Sequence, residues 1–165
     1  MIDLNHIISI SGKPGLYKLL TQSRKGLIVE SVEDGKKVPA QATQRISALE
    51  DISIFMEDDE EISLEEVFHR IYQKEDGGPA IDHRSDKEEL AEYFEDILPG
   101  YDKEKVYHSD IKKCFQWYNL LHEADMLKLK EKEEGEEDRE KSEESQEEEK
   151  TAATESGESS NKKDQ

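Results

Sequence analysis

Cysteine occurs once in this sequence, at Cys114, so an internal disulfide framework is excluded and a reducing compartment is the natural setting. Long hydrophobic runs are missing as well: no stretch approaches the ~18 consecutive apolar residues of a membrane-spanning helix. The opening Met1-Ile2-Asp3-Leu4-Asn5-His6 lacks the basic region of a secretory signal and has an early acid, so the expectation is a cytoplasmic protein. Aromatics are sparse at 7%, and only 33% of the residues are hydrophobic while 39% are charged. Ordinary globular chains run at roughly 45–50% apolar and about 25% charged. Either all 165 residues fold marginally or some do not fold at all.

The charge resolves this choice. Residues 1–56 carry 7 basic and 6 acidic side chains, residues 57–129 carry 9 and 21, and residues 130–165 carry 7 and 15, within a net charge of -19. The last segment holds no aromatic residue and no Leu, Ile, Val or Met. It has nothing to bury against an ordering cost of roughly 1–2 kcal/mol per residue, and is predicted to be a disordered acidic tail. Without it, residues 1–129 have an ordinary composition, and they contain no internal repeat.

The first half reads as β-rich. Ile7-Ile8-Ser9-Ile10 stops at the turn residues Ser11-Gly12-Lys13-Pro14-Gly15. Leu16–Gln22 reads as a strand, Ser23–Gly26 as a hairpin loop with Gly26 at positive φ, and Leu27–Val32 as a strand rich in β-branched residues. Asp34-Gly35 signals a type I′ hairpin, and Pro39, lacking a ladder donor, means that the following strand lies at a sheet edge or ends there. The alternation around Ile52-Ser53-Ile54-Phe55 predicts a further strand over Leu49–Met56. These short strands predict a small SH3-like β-barrel or a strongly bent sheet, which needs a cover to be stable.

Helices supply the cover. Ser63-Leu64-Glu65-Glu66 matches a capping box, followed by the stripe Leu64, Val67, Phe68, Ile71 and Tyr72. Ser85-Asp86-Lys87-Glu88 repeats the box and Leu90, Tyr93, Phe94, Ile97 and Leu98 repeat the stripe, ending at Pro99-Gly100. Ser109-Asp110 starts a third helix through about Ala124. Its apolar residues, among them Trp117, Tyr118, Leu120 and Leu121, cover more than half its circumference. The predicted fold class is thus α+β: residues 1–76 as a β-rich domain with a covering helix, 77–84 as a linker, 85–129 as a helical hairpin, and 130–165 as the tail.

Three blocks carry a resemblance. Ile8–Leu19, Ser47–Phe55 and Ser109–Lys113, the last followed by Trp117-Tyr118-Asn119-Leu120-Leu121, are similar to an uncharacterised family of small Bacteroidota proteins of unknown function. The resemblance spans residues 1–129 and implies a β-rich N-terminal domain joined to a short helical C-terminal domain, a bacterial cytoplasmic setting, and no requirement for a thiol at Cys114.

No residue set here spells out a reaction. Gly12-Lys13-Pro14-Gly15 lacks the G-x-x-x-x-G-K-[ST] spacing of a phosphate loop, and Pro14 removes an amide, so it reads as a turn. The five histidines are scattered, and no C-x-x-C or H-E-x-x-H spacing occurs. His108, Cys114 and His122 are too widely spaced on one helix to share a zinc ion. Cys114 reads as a small core residue, and Glu57–Glu61 as a solvated loop lacking the calcium-loop pattern. Neither a cofactor nor a metal is expected. The reading is therefore a non-enzymatic protein-interaction or adaptor module. Trp117, Tyr118 and Leu121 are its candidate contact residues, toward an unidentified protein partner or a second copy of the chain through the third helix. The alternative is an accessory nucleic-acid or ribonucleoprotein factor touching phosphates through Lys13, Arg24, Lys25, Lys36 and Lys37, which the overall negative charge opposes.

Overall fold

The computed structural model of the protein describes residues 1–41 and 43–130. Five antiparallel strands, β1 (Ile7–Ile10), β2 (Tyr17–Ser23), β3 (Gly26–Ser31), β4 (Lys37–Ala40) and β5 (Ile46–Ala48), form one sheet in the order β4-β3-β2-β1-β5. Alternation sorts their side chains. Ile8, Ile10, Tyr17, Val29 and Ala40 form one buried cluster, whereas Ile7 and Leu16 join the core shared with the helices. The register slips between Leu19 and Thr21, a bulge that sharpens the bend of β2 and leaves Leu20 exposed.

The sheet is not closed. β4 and β5 are its two edges and do not pair with each other, so the strands form an open antiparallel sheet and not the closed SH3-like barrel. Pro39 lies in edge strand β4, where its missing N–H costs no ladder bond. The expected two-residue hairpin at Asp34-Gly35 is replaced by a longer turn. Glu30 pairs with Lys37, the Gly35 N–H donates to Ser31 O at 2.9 Å, and Gly35 but not Asp34 has positive φ. Asp34 instead accepts from the Lys36 N–H at 3.0 Å, which holds its carboxyl below the usual range.

The strand predicted over Leu49–Met56 is shorter. Leu49–Asp51 makes a 3₁₀ turn, and only Ser53–Phe55 (β6) is extended. It pairs with β7 (Glu61–Ser63) in a separate two-stranded ribbon, so the acidic run Glu57–Glu61 is an exposed hairpin turn and the start of a strand. Three helices follow: α1 (Leu64–Lys74), α2 (Lys87–Ile97) and α3 (His108–Glu123). Ser63 caps α1 by accepting the Glu66 N–H at 3.3 Å, while the Glu66 carboxylate pairs with Arg70 one turn on. The second cap is Asp86, one residue past the predicted Ser85. α3 begins one residue before the predicted Ser109, with the Tyr107 N–H donating to Asp110 Oδ2 at 3.0 Å.

The linker reading of residues 77–84 does not describe that segment. Gly78 O accepts the Tyr118 hydroxyl at 3.0 Å, and Asn119 exchanges hydrogen bonds with Ala80 and Ile81. One core runs from Ile2 and Leu4 through α1 and α2 to Leu121, making Met1–Lys130 a single unit. The tail predicted from residue 130 also takes in one residue too many, because Lys130 belongs to the folded unit. Lys130 N donates to Met1 O at 2.8 Å, and its Nζ meets the buried Glu65 carboxylate at 2.7 Å, beside the Ile2–Leu129 bridge. The rest of that tail, residues 131–165, lies outside the described residues.

Candidate functional site

α3 carries the contact residues proposed from sequence, and it splits them. Ile111, Cys114, Phe115, Tyr118 and Leu121 face inward at helical spacing. Tyr118 and Leu121 are 0% exposed. Both are core residues with no surface to offer a partner or a second copy, which corrects their assignment. Tyr118 also packs edge-on against Phe68, with ring centroids 5.6 Å apart. Burial pushes its phenol up to about 12, as it does the Cys114 thiol. A thiol so protonated is a poor nucleophile.

Trp117 is different. It is half-buried, one turn from Lys113 and next to Gln116, and these three residues at i, i+3 and i+4 line the outer face of α3. Trp117 forms a wall of two adjoining depressions. The first, about 280 Å³, is lined by Ile52, Ile54, Phe55, Leu64, Val106 and Cys114 among others, and is mostly apolar. Lys105 closes its rim, over the Phe55 ring at 5.4 Å and within 3.8 Å of Asp59 and Asp102. The second, about 520 Å³, lies between α3 and the β1–β2 turn and is lined by the Gly12–Gly15 backbone, Lys13, Arg45 and Lys113. Gly12 and Gly15 both need their positive φ, +84° and +81°, to shape that turn. Arg45 reaches it because its carbonyl accepts the Ser11 N–H at 2.9 Å, where β5 pairs with β1.

The groove selects among the basic residues named from sequence. Lys13 lines it. Arg24 and Lys25 occupy the β2–β3 turn, whereas Lys36 and Lys37 lie at the opposite end of β3, with Lys36 Nζ 3.7 Å from Asp34. Six residues of strand at ~3.3 Å each put these tips about 20 Å apart, so the five cations do not form one phosphate-tracking surface. Sequence reasoning missed Arg45, Lys113 and Ile52 as neighbours of Trp117. The i, i+4 spacing of Lys113 and Trp117 was a usable signal, but the approach of Arg45 depends on the β1–β5 pairing. Among the described residues no group of three or more His, Cys, Asp or Glu side chains is placed to hold a metal ion, and no helix is long and apolar enough to cross a membrane.

Comparison with known proteins places this architecture. Residues 4–49 match the family model described as Domain of unknown function (DUF5606), and residues 52–121 match Domain of unknown function (DUF6852). A solution NMR structure of a structural-genomics target from Bacteroides vulgatus is 41% identical, covers 76% of this chain and 90% of that one, and superposes with a TM-score of 0.64. The chain belongs to this uncharacterised Bacteroidota family. The two family models meet at the 3₁₀ turn, between the five-stranded sheet and the β6–β7 ribbon, and not at residues 77–84. Trp117 thus stands in the second domain while Lys13 and Arg45 stand in the first, and the groove joins the two. No curated protein matches the chain.

Proposed function

We propose that the protein is a non-enzymatic, cytoplasmic protein-interaction module and that Trp117 anchors a partner segment. One observation carries this reading: the indole is shared by an apolar pocket and a basic groove, while its helical neighbours Tyr118 and Leu121 are consumed by the core. A rigid, partly exposed indole beside a small apolar pocket is the kind of feature that dominates binding energy at interfaces. The buried Cys114 and its raised thiol support a non-catalytic reading, and the division of Arg24 and Lys25 from Lys36 and Lys37 weighs against the nucleic-acid alternative.

The test is affinity capture with the full chain beside Trp117→Ala, each checked for native circular dichroism. A stoichiometric protein partner retained by the wild type and lost by the folded variant is the expected result. Equal retention by both removes Trp117 as the anchor. Capture of nucleic acid by the full chain, abolished in high salt, instead favours the alternative.

A further inference from the structure

The chemistry of the two depressions specifies what they accept. The chain as a whole has a net charge of -19, yet the lining of the larger groove contains Lys13, Arg45 and Lys113 and no carboxylate. Among the described residues none of these three cations takes part in an ion pair, whereas Lys105 across Trp117 is held by Asp59 and Asp102. The one carboxylate bordering the apolar pocket, Asp110, is engaged as the acceptor of the Tyr107 N–H. A cationic groove in a strongly anionic protein is a local reversal of field that selects an anionic ligand.

The apolar pocket adds a second requirement. At about 280 Å³ it falls below the ~300–1,000 Å³ of small-molecule sites, and suits one large side chain rather than a cofactor. Phe55 bounds it, and beyond Phe55 the chain enters the acidic β6–β7 turn. Ligand charge is therefore repelled on that side and attracted on the other. Resting on the interaction reading above, we infer that the groove binds a short acidic peptide segment of a partner protein, with one bulky apolar side chain in the Ile54–Phe55–Cys114 pocket and adjoining carboxylates over Lys13, Arg45 and Lys113. Its length is limited on the Phe55 side by the exposed acidic run Glu57–Glu61, which argues against a long polyanion such as RNA.

The probe is a short fluorescein-labelled peptide with a run of glutamates beside a single leucine, titrated against the full chain at low salt. Its analogues are the same peptide with glutamines for glutamates, the same with alanine for leucine, and a single-stranded RNA of equal charge. Saturable binding of the first peptide, lost with glutamines and weakened with alanine, is expected. Arg45→Gln and Lys113→Gln, both at exposed positions, each weaken it by about two- to five-fold, and Trp117→Ala by about ten- to thirty-fold. Raising salt from about 50 to about 300 mM weakens the charged peptide and not its glutamine analogue. Three results overturn the inference: no saturable binding, binding indifferent to the paired Arg45→Gln and Lys113→Gln change, or preference for the RNA. If Trp117-dependent capture of a partner persists while the acidic peptide fails, the acidic class falls and the interaction reading stands.

Discussion

Replacing Tyr118 separates core from contact surface most sharply, because its two substitutions remove different things. Tyr118→Ala deletes one of the largest fully buried side chains, including its edge contact with Phe68, and large-to-small aromatic changes in cores cost about 3–5 kcal/mol. Tyr118→Phe keeps the ring and removes only the hydroxyl that donates to Gly78 O at 3.0 Å, about 1 kcal/mol net. The cooperative unit is Met1–Lys130, and an unfolding entropy near 2.1 cal/mol/K per residue turns each 1 kcal/mol into about 3–4 °C of melting temperature. Calorimetry of the full chain should then show a fall of about 10–18 °C for alanine and about 3–4 °C for phenylalanine. Trp117→Ala, removing a half-buried ring, should fall well short of Tyr118→Ala. An alanine variant at Tyr118 melting within a degree or two of the wild type would refute the assignment of this residue to the core. So would a phenylalanine variant as damaging as alanine.

Further outcomes concern the groups that titrate late and the turns. Cys114 and Tyr118 have folded values raised to about 12, and Tyr93 and Tyr101 are raised too, mainly by burial. A raised folded value keeps its stability below the unfolded pKa and loses it as pH climbs toward the folded one, so urea midpoints should fall progressively between about pH 9 and 12. Over the same range a disulfide reagent should label Cys114 only as the protein unfolds, and prompt labelling of the native protein would contradict the buried thiol. Gly26→Ala would drive a Cβ into the Ala40 carbonyl oxygen, while at Gly12 nothing lies within 4 Å. The first substitution should lower the urea midpoint several times more than the second, and equal effects would contradict the close β3–β4 approach. Lys130→Met leaves the buried Glu65 carboxylate with the Leu4 N–H alone, and should cost about 1 kcal/mol after allowing for the partial exposure of the lysine. Hydrogen exchange at Asp3, whose N–H donates to Lys128 O, should accelerate in that variant, and unchanged protection would show the clasp to be independent of the ion pair.

Local pattern carried the helices. The α1 stripe of Leu64, Val67, Phe68 and Ile71 is buried as its spacing requires, and Ser63 caps it. Gly26 has the positive φ expected of it, +140°, but as the first residue of β3, paired with Ser23 across the Arg24-Lys25 turn. What escaped the sequence depends on partners distant along the chain. Asp34-Gly35 promised a tight turn, but the pairing of Glu30 with Lys37 fixes a longer loop in which Asp34 caps Lys36. Tyr118 reads as an interface aromatic until residues 78–81 fold over it, and those residues look like a linker until Tyr118 and Asn119 hold them. Lys130 belongs by composition to the tail, yet Glu65, 65 positions away, holds it to the core. The site followed the same rule. Trp117 was visible on α3, Lys13 was named for a different reason, and only the β1–β5 pairing brings Arg45 to them.

The most direct measurement is an amide and indole NMR footprint of the full chain titrated with the glutamate–leucine peptide. The largest shifts should fall on the Trp117 indole N–H, Gly12, Gly15, Arg45 and Lys113, with the Arg24-Lys25 turn and α2 unmoved. A footprint centred on either distant hairpin tip, or no perturbation at Trp117, would contradict that expectation.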